Sequence, residues 1–345
     1  MVDAVDRAMR ITAIITVYNL EKFIDEALSS VLLQTRQPDE IVVVDDGSTD
    51  NSATVLQKYS DKIRYVRLPT NRGALLACIE GIKHATGDVL AFLDGDDIWH
   101  PRKLEEVEKA FVEDERRILV THDYECIDGD GNGREYSDDP THYNTARIVT
   151  ESQGDSEKMD SLLRNSILSY KGVWLGSAFS IRVGYLDFER YKKWVLSLPF
   201  SELSHQDQPL AGFICVNNQD HRLFFLDKIL FKYRIFSGNS SGTSTTLPSA
   251  LRTINRSRAT IMRTKDLLDQ QSGFAEEKTR VDYRLMENDF IFDLYSKKYG
   301  SAIGKFCRLV VNFWDTKKSI KETKRFASVL LLGPETFLKL KSRRV

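Results

Sequence analysis

Three short runs of apolar, mostly β-branched residues dominate the first hundred positions: residues 11–17, 41–44 and 89–93. Each is followed by residues whose apolar positions recur at helical spacing, as in Phe23, Ile24, Ala27, Leu28, Val31 and Leu32. A weaker strand signal over residues 63–68 and a helix signal over 73–85 fit the same alternation. A strand apolar on both faces cannot border water, so the runs predict a parallel sheet covered by helices on each side. Ligands in such sheets sit beyond the carboxyl ends of the strands. Three of those ends carry polar clusters: Thr16-Val17-Tyr18-Asn19, Asp45-Asp46-Gly47-Ser48 and Asp94-Gly95-Asp96-Asp97. Asn19 reads as the N-cap of the first helix, and Asp45 to Ser48 as a turn that starts the second.

The alternation fades after residue 118. Strand-like pieces at 118–121 and 224–233 and a helix signal near 160–168 are separated by Gly- and Asp-rich turns. Residues 237–248, rich in Ser, Thr and Gly, read as a linker or loop. Helices follow over 251–270 and 276–299, then a basic amphipathic stretch over 319–344 that Pro334 interrupts. No apolar run approaches a bilayer span of about 18 residues, and the first ten residues lack a signal-peptide core. Four scattered cysteines with no paired spacing suit a reducing compartment. Net charge is −1, yet residues 251–345 carry +10, so the remaining acidic body and the basic tail expect different partners.

Asp94-Gly95-Asp96 directly follows an apolar strand. Two carboxylates two residues apart at a strand exit can face one hard divalent cation, which also takes substrate phosphate oxygens. The bland alternative is an Asp-rich turn. A second Asp pair, Asp45-Asp46, at a neighbouring strand end strengthens the cation reading, because clustered like charges need an answering charge or donor. Asp128-Gly129-Asp130-Gly131-Asn132-Gly133 imitates half of a calcium loop, but its twelfth position is Asp139 and no helix leads into it; a Gly-rich hairpin is expected there.

Ile14-Ile15-Thr16-Val17-Tyr18-Asn19, Val43-Val44-Asp45-Asp46-Gly47-Ser48-Thr49-Asp50, Asn71-Arg72-Gly73 and Phe92-Leu93-Asp94-Gly95-Asp96-Asp97 together resemble glycosyltransferase family 2, the inverting GT-A enzymes. The likeness is dense over 10–105 and looser over 106–240. It implies an α/β fold of GT-A type: a Rossmann-like, mostly parallel sheet flanked by helices, with a helical C-terminal extension. Residues 1–245 would form the catalytic domain, with 10–120 as the nucleotide-sugar and metal half and 121–245 as the acceptor half. Residues 246–345 would form the helical region.

The resemblance also implies roles. Thr16 and Tyr18 would frame the nucleotide base, and Asp46 would hydrogen-bond it. Asp94 would lie near ribose and metal, and Asp96 would be the main ligand of Mn²⁺ or Mg²⁺. Asn71 matches the family's Asn-x-Gly turn. Arg72 beside it is a weaker donor-phosphate candidate, with a solvated arginine as the alternative. Asp207, in His205-Gln206-Asp207-Gln208-Pro209, matches the position of the family's catalytic base, with Gln206 in place of the expected Glu and His205 as a rival. Arg234 could neutralise diphosphate or pair with an acid at the core edge. Cys78 and Ile79 replace a common Arg-Asn pair, Phe236 a common His, and Thr16 a common proline.

The expected activity is hexosyl transfer from a nucleotide sugar, a UDP-sugar first, to a glycan or lipid-linked acceptor in bacterial-type surface polysaccharide or glycolipid assembly. A catalytically degenerate sugar-nucleotide binder or scaffold stays open, and a nucleotidyltransferase ranks below it for want of a Gly-rich basic loop after strand one. No nucleic-acid partner is expected. A cytoplasmic protein, peripheral at the inner membrane face through its basic C-terminal region, and a homo-oligomer are further expectations.

Overall fold

A computed structural model describes residues 8–134, 140–169, 176–198, 205–236, 246–313 and 316–342, with the side chains of 140–144, 316–321 and 341–342 excepted. The chain divides into two compact units. The first comprises residues 1–167, 171–202 and 206–234, and the second 168–170, 203–205 and 235–345.

The first unit is built on an eight-stranded sheet of order β3-β2-β1-β4-β7-β6-β8-β5. The strands are β1 (Ile11–Val17), β2 (Glu40–Asp45), β3 (Arg64–Arg67), β4 (Val89–Asp94), β5 (Ile98–Trp99), β6 (Arg117–Ile127), β7 (Ser180–Arg182) and β8 (Arg222–Arg234). β3, β2, β1 and β4 run parallel. Ile11, Ala13, Ile14, Ile15, Val42, Val43, Val44, Leu90 and Ala91 are all buried, as expected for strands covered on both faces. Helices α1 (Ile24–Leu32), α2 (Ser52–Gln57) and α3 (Ala74–His84) connect them, and α4 (Lys103–Glu113) leads from β5 to β6. β7 then enters antiparallel against both β4 and β6. β6 and β8 are parallel to each other, and β5 closes the edge antiparallel to β8. The sheet is therefore α/β and mostly parallel, with β7 and β5 as reversals.

Four further helices complete this part of the chain: α5 (Pro140–Ser152), α6 (Ser156–Leu168), α7 (Phe188–Ser197) and α8 (Asp207–Asn217). Helices α9 (Leu247–Asp269), α10 (Ala275–Tyr295), α11 (Tyr299–Asn312), α12 (Thr316–Leu332) and α13 (Pro334–Ser342) make up most of the second unit. Their core gathers Phe290, Leu294, Ala302, Leu309, Val329 and Leu338. Most of the expected linker lies outside the described residues. Its last two members, Leu247 and Pro248, instead open α9, capped by Thr246 accepting from the Ser249 amide.

Asn19 departs from expectation. It does not cap α1, which begins at Ile24 with no side-chain cap. Its φ is +53°, and its Oδ1 accepts the Thr49 amide at 2.8 Å. It ties the β1 exit to the β2 exit, a use open to Asn because its short polar side chain tolerates the left-handed region. The Asp128 turn is the expected hairpin: Ile127 bridges Gly133 antiparallel, and the Asp128 carboxylate accepts the Asp130 and Asn132 amides at 2.9 Å.

Gly47 sets the loop after β2. Its φ is +71°, and a Cβ there would lie 2.7 Å from the Thr70 carbonyl carbon. Both backbone strain and a backbone clash oppose any side chain. Gly47→Ala is expected to lose about 2 kcal/mol or more of stability, read from urea unfolding midpoints; a variant unfolding with the wild type contradicts this packing.

Candidate active site

The site is assembled by register. Thr16 stands opposite Asp94 across the β1–β4 pair, and Val17 opposite Asp45 across β1–β2. The polar ends of three strands therefore lie level, at the carboxyl edge. Two bonds extend the alignment: the Gly95 amide donates to the Thr16 carbonyl at 2.9 Å, and the Asp46 amide to the Val17 carbonyl at 2.8 Å.

Asp45 and Asp46 have divided tasks. Asp45, fully buried, accepts the Ser48 amide at 2.7 Å and the Tyr65 hydroxyl at 2.7 Å. Asp46 accepts the Arg72 amide at 2.7 Å and the Gly73 amide at 2.8 Å. Burial holds the Asp46 carboxyl above its ordinary value, and those two amides oppose the shift. Asp46 thus fixes the Asn71-Arg72-Gly73 loop that opens α3. Asn71 Oδ1 also accepts the Gly73 amide at 3.1 Å. The Arg72 side chain is exposed, as is Tyr18 at the β1 exit.

At the β4 exit, Asp94 and Asp96 are half-buried and Asp97 is buried. β7 runs antiparallel to β4, which brings the 3-10 turn Gly176–Ala178 alongside. The Asp94 amide donates to Ser177 Oγ at 3.0 Å, and Ser177 Oγ–H donates to Asp97 at 2.6 Å. On the other side, the Gln206 side-chain amide donates to the Asp94 carboxylate. Thr16 Oγ1 lies 3.4 Å from both Asp94 Oδ1 and Gln206 Oε1. A Cβ at Gly176 would lie 2.8 Å from Gln206 Nε2, so a side chain there would displace the Gln206 amide. Asp207 follows as the first residue of α8, where the helix N-terminus favours a negative charge.

These carboxylates burden one another. Burial raises Asp94 to about 6, against bonds from Gln206 and Thr16. Burial and then the Asp94 charge raise Asp96 to about 7, with Arg234 opposing. Burial raises Asp207 to about 7; the Gln208 amide opposes, and Asp94 adds to the rise. Burial, with Asp96 and Asp94, pushes Asp97 well up. The fit to a divalent cation follows: Asp96 is held up partly by a neighbouring negative charge, which added positive charge would offset. Among the described residues no group of three or more His, Cys, Asp or Glu side chains is arranged as a metal cage.

Arg234 takes the core-edge option. It is 2% exposed. Its guanidinium donates to Glu26 at 2.6 Å, to the Asp96 carbonyl at 2.8 Å, and to the Asp128 and Gly129 carbonyls. Its amide donates to Asp97 at 2.9 Å. It braces the Asp96-Asp97 loop from behind. Cys78 and Ile79 are buried on the inner face of α3, so packing occupies the place of the polar pair seen in the family. Phe236 and His205 belong to the second unit.

Sequence reading missed Lys103. Lys103, fully buried in α4, donates to the Ser177 carbonyl and lies 4.1 Å from the Trp99 ring centroid. Its signal was present: with Leu104, Val107, Ala110 and Phe111 it shares the inward face of an amphipathic helix, where an unpaired lysine does not belong.

Residues 12–169 match the family described as Glycosyl transferase family 2. An uncharacterized glycosyltransferase of Nostoc sp. is 42% identical over 125 residues, 35% of this chain and 38% of that relative. One from Haemophilus influenzae is 29% identical over 250 residues, 71% of this chain and 86% of that relative. The chain spans well under two thirds of the first curated relatives it matches, 38% of the Nostoc protein and 21% of two from Rickettsia. Among solved structures, S. aureus TarS 1-349 in complex with UDP-GlcNAc superposes with a TM-score of 0.56 at 20% identity, covering 88% of this chain and 81% of that one. The mannosyltransferase PcManGT from Pyrobaculum calidifontis, in complex with GDP-Man and Mn²⁺, gives 0.55 at 16% identity, covering 97% and 86%.

The raised carboxylates make stability depend on pH. Their folded values lie above the unfolded carboxylate value of about 4, so the folded chain binds more protons, and their contribution is lost as pH rises from about 4 through about 7. In EDTA, Asp96→Asn is expected to flatten the fall in melting temperature over that window; equal slopes for variant and wild type contradict the assignment. Taken together, the segment 12–169 matches glycosyltransferase family 2, and the sheet has a GT-A type fold.

Proposed function

We propose that the chain is an inverting glycosyltransferase that moves a hexosyl group from a nucleotide sugar to an acceptor hydroxyl, in surface polysaccharide or glycolipid assembly. One observation carries this reading: Asp94, two residues before Asp96 at the β4 exit, accepts a bond from Gln206, whose neighbour Asp207 starts α8. That linkage gathers a cation-binding pair and a candidate base at one edge of the sheet. The bound nucleotide sugars of TarS and PcManGT support the donor class, with a UDP-sugar as the proposed donor.

Asp96 and Asp94 would hold Mn²⁺ or Mg²⁺, whose remaining oxygens would come from diphosphate and water. Such a cation stabilises the negative charge that builds on a departing nucleoside diphosphate. Thr16 and Tyr18 would line the base site at the β1 exit. Asp46 would shape that site by holding the Arg72 and Gly73 amides, and Asn71 and Arg72 would border the donor. Arg234 would act from behind, as a buried brace of the Asp96-Asp97 loop. Asp207 would take the acceptor proton as the hydroxyl oxygen attacks the anomeric carbon and the bond to the diphosphate oxygen breaks. A carboxyl raised to about 7 suits this work, because a base is most effective when its proton affinity sits near the working pH. A cytoplasmic location accords with the exposed thiol of Cys307.

A catalytically degenerate sugar-nucleotide binder is the second reading, favoured by Gln206 standing where the family usually carries Glu. The two readings separate by experiment. Asp207→Asn is expected to cost about 100-fold or more in turnover with little change in donor affinity. The wild-type kcat/KM is expected to fall as pH drops below about 7, since a protonated Asp207 cannot accept the acceptor proton. The anomeric configuration of the product, read by NMR, is expected to be inverted. A normal rate for Asp207→Asn or a retained configuration contradicts the proposal, and donor binding with no turnover of any sugar nucleotide favours the degenerate reading.

A further inference from the structure

The second unit carries an apolar corner that the glycosyltransferase site does not use. α12 ends in Leu330, Leu331 and Leu332, which are 46%, 84% and 45% exposed. Leucine is rarely left this open three times in succession, and clustered exposed apolar side chains mark interaction surfaces. Local geometry explains the presentation. The Gly333 amide donates to the Val329 carbonyl at 2.9 Å, and Gly333 has a φ of +74°. This left-handed cap turns the chain sharply into α13. Val329 and Leu338 enter the core on either side of the turn, so the corner is anchored while its three leucines stay outside. Leu340 on α13 is 45% exposed as well.

The sequence of this segment is one-sided in charge. Residues 301–345 contain 11 Lys and Arg against three Asp and Glu. Two of those three acids are already paired, Glu322 with Arg325 at 2.8 Å and Glu335 with Lys297 at 3.3 Å. Lys324 and Lys339 are exposed on the two helices that meet at the turn. An apolar wedge within a cationic segment is the chemistry of a helix pair that rests on an anionic lipid surface, with leucines at the acyl boundary and ammonium groups among the headgroups. No helix among the described residues is long and apolar enough to cross a membrane.

We propose that the Leu330-Leu331-Leu332 corner is a peripheral docking site for an anionic bilayer. Shallow insertion of the leucines would supply the apolar part of binding and the basic segment the electrostatic part. The proposal stands independently of the catalytic reading, because every residue in it belongs to the second unit.

The test is sedimentation of the full chain with vesicles of phosphatidylglycerol and phosphatidylcholine, and of phosphatidylcholine alone. Binding is expected on the anionic vesicles, with release at high salt as the charges are screened. Leu331→Glu with Leu332→Glu is expected to weaken binding about ten-fold or more. Lys324→Glu with Lys339→Glu is expected to weaken it and to reduce its salt dependence. Both variants alter exposed side chains, so their melting temperatures should match the wild type and their nucleotide-sugar turnover in solution should be unchanged. Absence of binding to anionic vesicles at low salt, or equal binding to neutral ones, overturns the proposal. So does a concentration-dependent dimer that the leucine variant dissociates while vesicle binding is unaffected, since a second copy would then be the occupant.

Discussion

Four carboxylates share one strand exit, and the cost of gathering them there organises the first unit. Asp94, Asp96, Asp97 and Asp207 are each pushed above the ordinary carboxylate range, with burial as the largest cause. Such a cluster survives only if donors answer it. Ser177 links the Asp94 backbone to the Asp97 side chain, Gln206 meets Asp94, and Arg234 donates to Asp97 through its amide and to the Asp96 carbonyl through its guanidinium. Burial holds the Lys103 ammonium well below its ordinary range, with the Asp97 charge opposing, and its Nζ donates to the Ser177 carbonyl. Strands β4, β7 and β8 and helices α4 and α8 therefore meet at a single electrostatic problem, which their side chains only partly solve.

The reversal at β7 makes this possible. A fully parallel sheet would carry the chain away from the β4 exit through another helix. An antiparallel β7 instead brings the turn that precedes it back to that exit, so Gly176 and Ser177 face Asp94. The same economy of space appears at Gly47, where the loop after β2 passes against the Thr70 backbone. Asp46 can then reach the Arg72 and Gly73 amides. The β2 side of the site is thus shaped largely by backbone contacts, and the β4 side by hydrogen bonds from Ser177, Gln206 and Arg234.

Much of this was legible in the sequence because burial leaves a periodic mark. The apolar runs announced β1, β2 and β4 and their parallel order, and the polar residues ending each run announced the site. What periodicity cannot report is which of several adjacent polar residues is spent on architecture. Asp45 and Asp46 look equivalent in sequence, yet one bonds Tyr65 and the other the next loop. Arg234 reads either as a ligand for phosphate or as the partner of an acid, and the acid it meets, Glu26, lies more than two hundred positions earlier. Asn19 resembles a helix cap and instead joins two loops. β7, only three residues long, carries little periodic pattern of its own, although it brings Ser177 against Asp94.

On the proposed function, these carboxylates would hold protons while the site is empty and give them up to a cation and a nucleotide. Proton linkage tests it directly. Titration calorimetry of Mn²⁺ with UDP or GDP, run at about pH 6 in buffers of differing ionisation enthalpy, counts protons exchanged on binding. Net release at that pH, fading by about pH 8, is the predicted result. Binding heats that are independent of buffer at the lower pH, after correction for the free nucleotide, would contradict the account.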